Sequence, residues 1–205
     1  VLYKINDLSE KFIYFNDDMF LIKKSSPEEW FIDNKAVLSG NWAKTYNIQP
    51  LKKISNMIKH VFKIRPSYNA AQSRSANIAG FKREYFRSYH SGRPQIKSII
   101  KSFYEKNPDI LKKQLKHKFR NDKQYMPYSL CWHLLIKEEK YVKVSKSKLV
   151  EIEKIRDYTP HKLKELLSEL DNNEEVKLLN IQDLNYASED TSMVFKNWFF
   201  NKLTN

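Results

Sequence analysis

Two adjacent carboxylates, Asp17 and Asp18, interrupt an otherwise apolar run over residues 12–22. Aromatic and β-branched residues at 12–15 predict a buried strand, and the apolar pattern resumes at Phe20. Acids placed there must be solvated, paired or metal-bound, because an unpaired buried charge is costly. With Asn16 before them they suit a hard divalent cation, which takes one or two carboxylates plus water and substrate phosphate. They equally suit an acidic turn that bonds its own backbone. Two further stretches carry reactive side chains. Residues 89–97 hold His90, Arg93 and Lys97 around Gly92 and Pro94, and residues 116–122 hold Arg120. Acids for a cation, a histidine for proton transfer and cations for phosphate are the parts of a phosphoryl-transfer site. Because arginine grips phosphate through a planar fork, Arg120 and Arg93 are better suited to it than the lysines. His90 fits either of two roles, general base or, when protonated, phosphate donor.

The elements that must position these groups read as an α/β fold. A small central sheet containing strands 12–16 and 176–181 is expected, covered by helices, in one catalytic lobe spanning 1–205. A helix over 2–8 precedes the acids. Ser25 or Ser26 before Pro27, Glu28 and Glu29 starts a short helix. Residues 32–42 read as irregular or hairpin structure, with turns at Asp33-Asn34 and Gly40-Asn41. Residues 50–63 carry Leu51, Ile54, Met57, Ile58 and Val61 at three-and-four spacing. This predicts a basic amphipathic helix, for core packing or for contact with a partner or membrane surface. A helix from residue 69 ends near Gly80. Gly92 and Pro94 mark a loop, with Pro94 starting the next helix, to about residue 106. Pro108 opens a helix through 119, and Pro127 opens an apolar one through 137. Residues 140–145 alternate as a strand. Thr159 caps a helix through 170 with Pro160 at its first position. The strand at 176–181 ends in a polar pair, Gln182-Asp183, and Ser188 with Glu189 and Asp190 starts a final amphipathic helix.

Composition bounds the function. Lys plus Arg at 37 against Asp plus Glu at 24 gives a formal charge of +13, which favours polyanions such as nucleic acid, anionic lipid or phosphorylated substrates. One cysteine, Cys131, excludes an intrachain disulfide and a cysteine-based zinc site. No apolar stretch reaches the roughly 18 residues of a membrane span. There is no Walker loop, GxGxxG, HExxH or nucleophile elbow.

The run FIYFNDDMFL at 12–21, the spacing His-x-x-x-Pro-x-x-Lys at His90, Pro94 and Lys97, and Lys118-Phe119-Arg120 together resemble the Stealth family. That family comprises bacterial capsular and exopolysaccharide phosphotransferases and the catalytic subunit of N-acetylglucosamine-1-phosphotransferase. The stretch 180–183, Asn-Ile-Gln-Asp, looks like its fourth conserved region, with Asn180 where the family has Cys and Gln182 where it has Asn. The resemblance covers most of the chain. It implies a Rossmann-like or GT-A-like transferase that moves hexose-1-phosphate, of the N-acetylhexosamine type, from a nucleotide sugar such as a UDP-sugar to a glycan hydroxyl. It also implies Mg2+ or Mn2+ on Asp17 and Asp18, with His90 and Arg120 catalytic. Asn16, Asn77, Arg93, Lys97 and Asp183 would bind substrate or phosphate. No nucleic-acid partner is implied. The setting would be cytoplasmic, at the inner face of a bacterial membrane. The family's donor-side regions are expected upstream of Val1, making the chain a piece of a longer protein. Two readings from other classes stand beside this one: a basic nucleic-acid-binding module with aromatic stacking, and a non-catalytic fragment of a polysaccharide-biosynthesis protein.

Overall fold

A computed structural model describes residues 2–51, 54–55, 58, 67–119, 121–144, 149–152 and 154–204. Most of the predicted amphipathic helix at 50–63 and the candidate catalytic Arg120 lie outside the described residues. Within them the chain is mixed α/β, with six α-helices and several small sheets. It divides into two compact units. Unit 1 comprises Val1–Tyr14, Glu28–Tyr89 and Arg93–Ser145; unit 2 comprises Phe15–Pro27, His90–Gly92 and Lys146–Asn205.

Among the described residues there are nine strands: β1 (Lys11–Tyr14), β2 (Met19–Leu21), β3 (Phe31–Ile32), β4 (Lys35–Lys44), β5 (Glu84–Ser88), β6 (Arg93–Ile96), β7 (Tyr141–Val144), β8 (Leu149–Ile152) and β9 (Leu178–Ile181). The helices are α1 (Tyr68–Ala79), α2 (Lys97–Lys106), α3 (Pro108–Leu115), α4 (Pro127–Lys137), α5 (Pro160–Asn172) and α6 (Glu189–Thr204).

In unit 1, β4 pairs antiparallel with β3 and β5 and parallel with β7, while β1 pairs antiparallel with β6. The β3–β4 hairpin turns on Asp33 and Asn34 at positive φ, 47° and 62°, a geometry that Asn and Asp tolerate. Gly40 and Asn41 do not turn. Both lie within β4, opposite Ser88 and Arg87. Gly40 is needed there because a Cβ would come within 2.3 Å of the Arg87 carbonyl oxygen. Helix α4 is apolar on nearly every side and fully enclosed from Tyr128 to Ile136. Leu130, Cys131, Trp132 and Leu135 pack there with Leu38, Phe86, Ile96 and Tyr104. Ser67 caps α1, and Gly80 ends it in the left-handed region at φ 105°. Small buried residues such as Ala70, Ala71, Ser75 and Ala76 let neighbouring elements approach closely.

Three further expectations for unit 1 need correction. Residues 2–8 form only a 3-10 turn, Leu2–Lys4. The carbonyls of Ile5, Asn6 and Leu8 accept from Lys97 Nζ at 3.2, 3.4 and 3.0 Å instead. Pro94 does not start a helix. It sits in β6 opposite Ile13, where its carbonyl accepts from the Trp132 indole at 2.8 Å, and α2 begins at Lys97. Helix α3 stops at Leu115 rather than 119. Gln114 exchanges hydrogen bonds with the backbone of Tyr125 at 3.0 and 3.1 Å and folds the following segment back.

Unit 2 is a three-stranded sheet in the order β2-β9-β8, with β2 antiparallel and β8 parallel to β9. Period-two alternation points Ile152, Leu179 and Ile181 into a core with Leu163, Leu167 and Leu170 of α5 and Phe195 of α6. Thr159 caps α5 as expected, accepting from Lys162 N–H at 3.3 Å. Phe20, Phe195 and Phe199 form an aromatic cluster with centroids 5.0 to 5.8 Å apart. The two strands expected to share a central sheet are therefore in different sheets. The strand before the acids pairs with β6, and the strand after them pairs with β9.

Candidate functional site

Strand order and direction in unit 2 bring several polar residues to one end of its sheet. Because β8 runs parallel to β9, both reach that end with their carboxyl termini. Antiparallel β2 starts there, with Met19 opposite Asn180. Asp17 and Asp18 stand just before β2, Glu151 lies near the end of β8, and Gln182 and Asp183 follow β9. The carboxyl end of parallel strands is where α/β sheets hold ligands.

The acid pair occupies a turn closed by Met19 N–H donating to the Asn16 carbonyl at 3.2 Å. Asp17 is exposed. The Asp18 carbonyl is gripped by Ile181 N–H at 2.9 Å and by the Asn180 side-chain amide at 3.1 Å. Asn180 is fully buried and lies beside Glu151 in the ladder. Asp18 Oδ1 and Asn180 Oδ1 are both buried without a hydrogen-bond partner among the described residues. Two such oxygens cost about 1–3 kcal/mol each, more for the charged one, unless something completes them. Hard oxygen donors of this kind fit a divalent cation. Among the described residues no group of three or more His, Cys, Asp and Glu side chains could hold one by itself.

His90 belongs to unit 2 and forms a second cluster. Its Nδ1 lies 2.7 Å from Glu151 Oε1. Gln182 Nε2 donates to the same carboxylate oxygen at 2.9 Å and lies 3.0 Å from His90 Nδ1. The backbone holds Gln182 through its N–H to the Ile152 carbonyl at 2.9 Å. Asp183 follows in the left-handed region at φ 61° and opens a 3-10 turn, its carbonyl accepting from Tyr186 N–H at 2.8 Å. Sequence reasoning missed Glu151, a lone acid inside a short apolar strand. An acid inside the apolar run Leu149-Val150-Glu151-Ile152 was a signal that could have found it.

The remaining candidates lie in unit 1. Arg93 is fully buried. It donates to the Tyr68 hydroxyl at 2.9 Å and lies over the rings of Tyr128, at 4.1 Å, and Tyr14, at 5.8 Å. Aromatic faces stabilise such a desolvated cation. Lys97 ties down the amino-terminal segment. Asn77 is in the last turn of α1, its Oδ1 buried without a hydrogen-bond partner among the described residues.

Unit 2 also carries a groove of about 510 Å³, lined by Leu21, Lys23, Lys24, Trp198 and Lys202 among others. None of the acid or histidine candidates lines it. Lys23 donates to the Asn173 carbonyl at 2.6 Å beyond the end of α5, and Lys202 pairs with Asp171 at 2.5 Å.

Compared with known proteins, the chain matches no protein-family model and no curated protein.

Proposed function

We propose that this protein is a sugar-phosphate transferase of the Stealth type, moving N-acetylhexosamine-1-phosphate from a nucleotide sugar to a glycan hydroxyl in capsule or exopolysaccharide synthesis. The observation that carries the reading is the pair of buried, uncompleted oxygens on Asp18 and Asn180, at the same sheet end as the His90–Glu151 pair. An acid that only closed a turn would have its oxygens solvated or bonded. Asp17, Asp18 and the Asn180 amide oxygen would hold Mg2+ or Mn2+, completed by water and phosphate oxygens. Bound there, the cation supplies positive charge against the donor pyrophosphate.

In the reaction, the acceptor hydroxyl oxygen forms a bond to the β-phosphorus. The bond from that phosphorus to the bridging oxygen breaks, and its electron pair leaves with the nucleoside monophosphate. His90 takes the hydroxyl proton; for Arg120, which lies outside the described residues, the family resemblance alone supports a part in balancing charge on the phosphoryl oxygens. The finer fold reading, a Rossmann-like or GT-A-like catalytic portion at the inner face of a bacterial membrane, belongs to the same proposal. Among the described residues no helix is long and apolar enough to cross a membrane, which fits contact from one side.

The test is a panel of nucleotide sugars and glycan acceptors with Mg2+, read by the nucleotide released. Nucleoside monophosphate is expected. Release of diphosphate means transfer of the sugar alone and overturns the reading.

A further inference from the structure

At 2.7 Å, the contact between His90 Nδ1 and Glu151 Oε1 leaves no room for two facing lone pairs. Nδ1 therefore carries a proton and donates it to the carboxylate. Gln182 Nε2 has only donor hydrogens, so its approach to Nδ1 at 3.0 Å is a neighbour contact. Its hydrogen bond goes to Glu151 Oε1 at 2.9 Å. Glu151 and Gln182 are fixed by adjacent parallel strands, through the β8–β9 register and the Gln182 N–H to Ile152. A rigid pair thus meets a histidine from a short connecting segment, the arrangement by which a supporting shell orients a functional side chain.

We propose that Glu151, braced by Gln182, is a positioning residue that holds the neutral imidazole of His90 as its Nδ1–H tautomer. Nε2 then bears the lone pair and is the atom that receives the acceptor proton. This rests on the transfer reading above and assigns the working nitrogen within it. Gln182 gives the device a second state. When the carboxylate is removed, the Gln182 amide becomes the nearest donor to Nδ1. The ring proton must then sit on Nε2, which turns the base into a donor.

The tautomer is readable by NMR on protein labelled with 15N-histidine, at a pH where the ring is neutral, with His90 assigned from the His90→Gln spectrum. The wild type is expected to show Nδ1–H, Glu151→Ala to show Nε2–H, and Glu151→Ala with Gln182→Ala to show a mixture. A wild-type Nε2–H signal, or an unchanged tautomer in Glu151→Ala, overturns the proposal. In the transfer assay, Glu151→Ala should lose about 100-fold in kcat, with donor KM and thermal midpoint retained. Wild-type kcat in that variant removes the positioning role and leaves the transferase reading standing. If the wild type transfers no sugar phosphate to any acceptor, the transferase reading fails, and the tautomer spectra still decide what Glu151 does to His90.

Discussion

Asp18 and His133 show the two ways in which this chain handles a polar side chain away from water. His133 is completely satisfied: Nε2 accepts Phe86 N–H at 2.9 Å, and Nδ1–H donates to the Ser129 carbonyl at 2.6 Å. Burial holds its pKa down at about 4, against an ordinary 6.5, despite the bond to Ser129. The folded pKa is depressed, so the unfolded chain binds the extra proton. Stability is therefore full above about pH 6.5, falls as the pH drops towards 4 and levels off below, by about 3 kcal/mol in all. Urea unfolding of wild type and His133→Gln across this window should show the gap between them narrowing in acid; a constant gap contradicts the assignment. Asp18, by contrast, has one buried carboxylate oxygen with no hydrogen-bond partner among the described residues. Asp18→Asn and His90→Ala should each lower transfer by at least about 100-fold with an unchanged circular dichroism spectrum. Wild-type rates in either variant remove that residue from the mechanism. Asp17, Asp18 and His90 were legible as chemistry because their types are out of place in an apolar run or beside Gly92. Glu151 and Asn180 gain their meaning only from strand register, which no local pattern carries.

Among the elements, those with an end signal were the most legible. Pro127, Thr159 with Pro160, and Ser188 mark the starts of α4, α5 and α6, and Gly80 marks the end of α1. Gly40 and Pro94 misled for one physical reason: each can break a strand, yet each is placed where the strand needs it. Gly40 lets the Arg87 carbonyl pass, and Pro94 contributes its carbonyl to Trp132. Gly40→Ala should accordingly destabilise by about 1–3 kcal/mol through overpacking against backbone, measured as a lowered urea midpoint with unchanged m-value. An unchanged midpoint means that the β4–β5 ladder is looser than described. The turn of the acid pair belongs to the same scale. Its geometry comes from β2 and β9, since the Asp18 carbonyl is bonded from Asn180 and Ile181. Asn180→Ala removes the side-chain grip while leaving the backbone bond. It should weaken Mg2+ binding, read by calorimetric titration, about tenfold or more. Unaltered Mg2+ affinity excludes Asn180 from the cation site.

On the scale of the whole molecule, many of the expected helices and strands are present among the described residues, while their assembly differs from expectation. Short runs of apolar residues at 12–15 and 178–181 signal strands. Their partners, β6 for one and β2 and β8 for the other, are chosen by packing between segments far apart in sequence. Two hydrophobic clusters result, one around α4 and one between the β2-β9-β8 sheet and helices α5 and α6. The formal charge of +13 suits polyanionic donors and acceptors, and distinguishes among them no further. What discriminates is the fate of one atom. A nucleotide sugar labelled at its β-phosphorus, incubated with this protein, Mg2+ and a glycan acceptor, separates the alternatives in a single measurement. The account predicts that the label appears in the glycan as a phosphodiester, with unlabelled nucleoside monophosphate released. Label that stays on a released nucleoside diphosphate while the glycan gains sugar would contradict it.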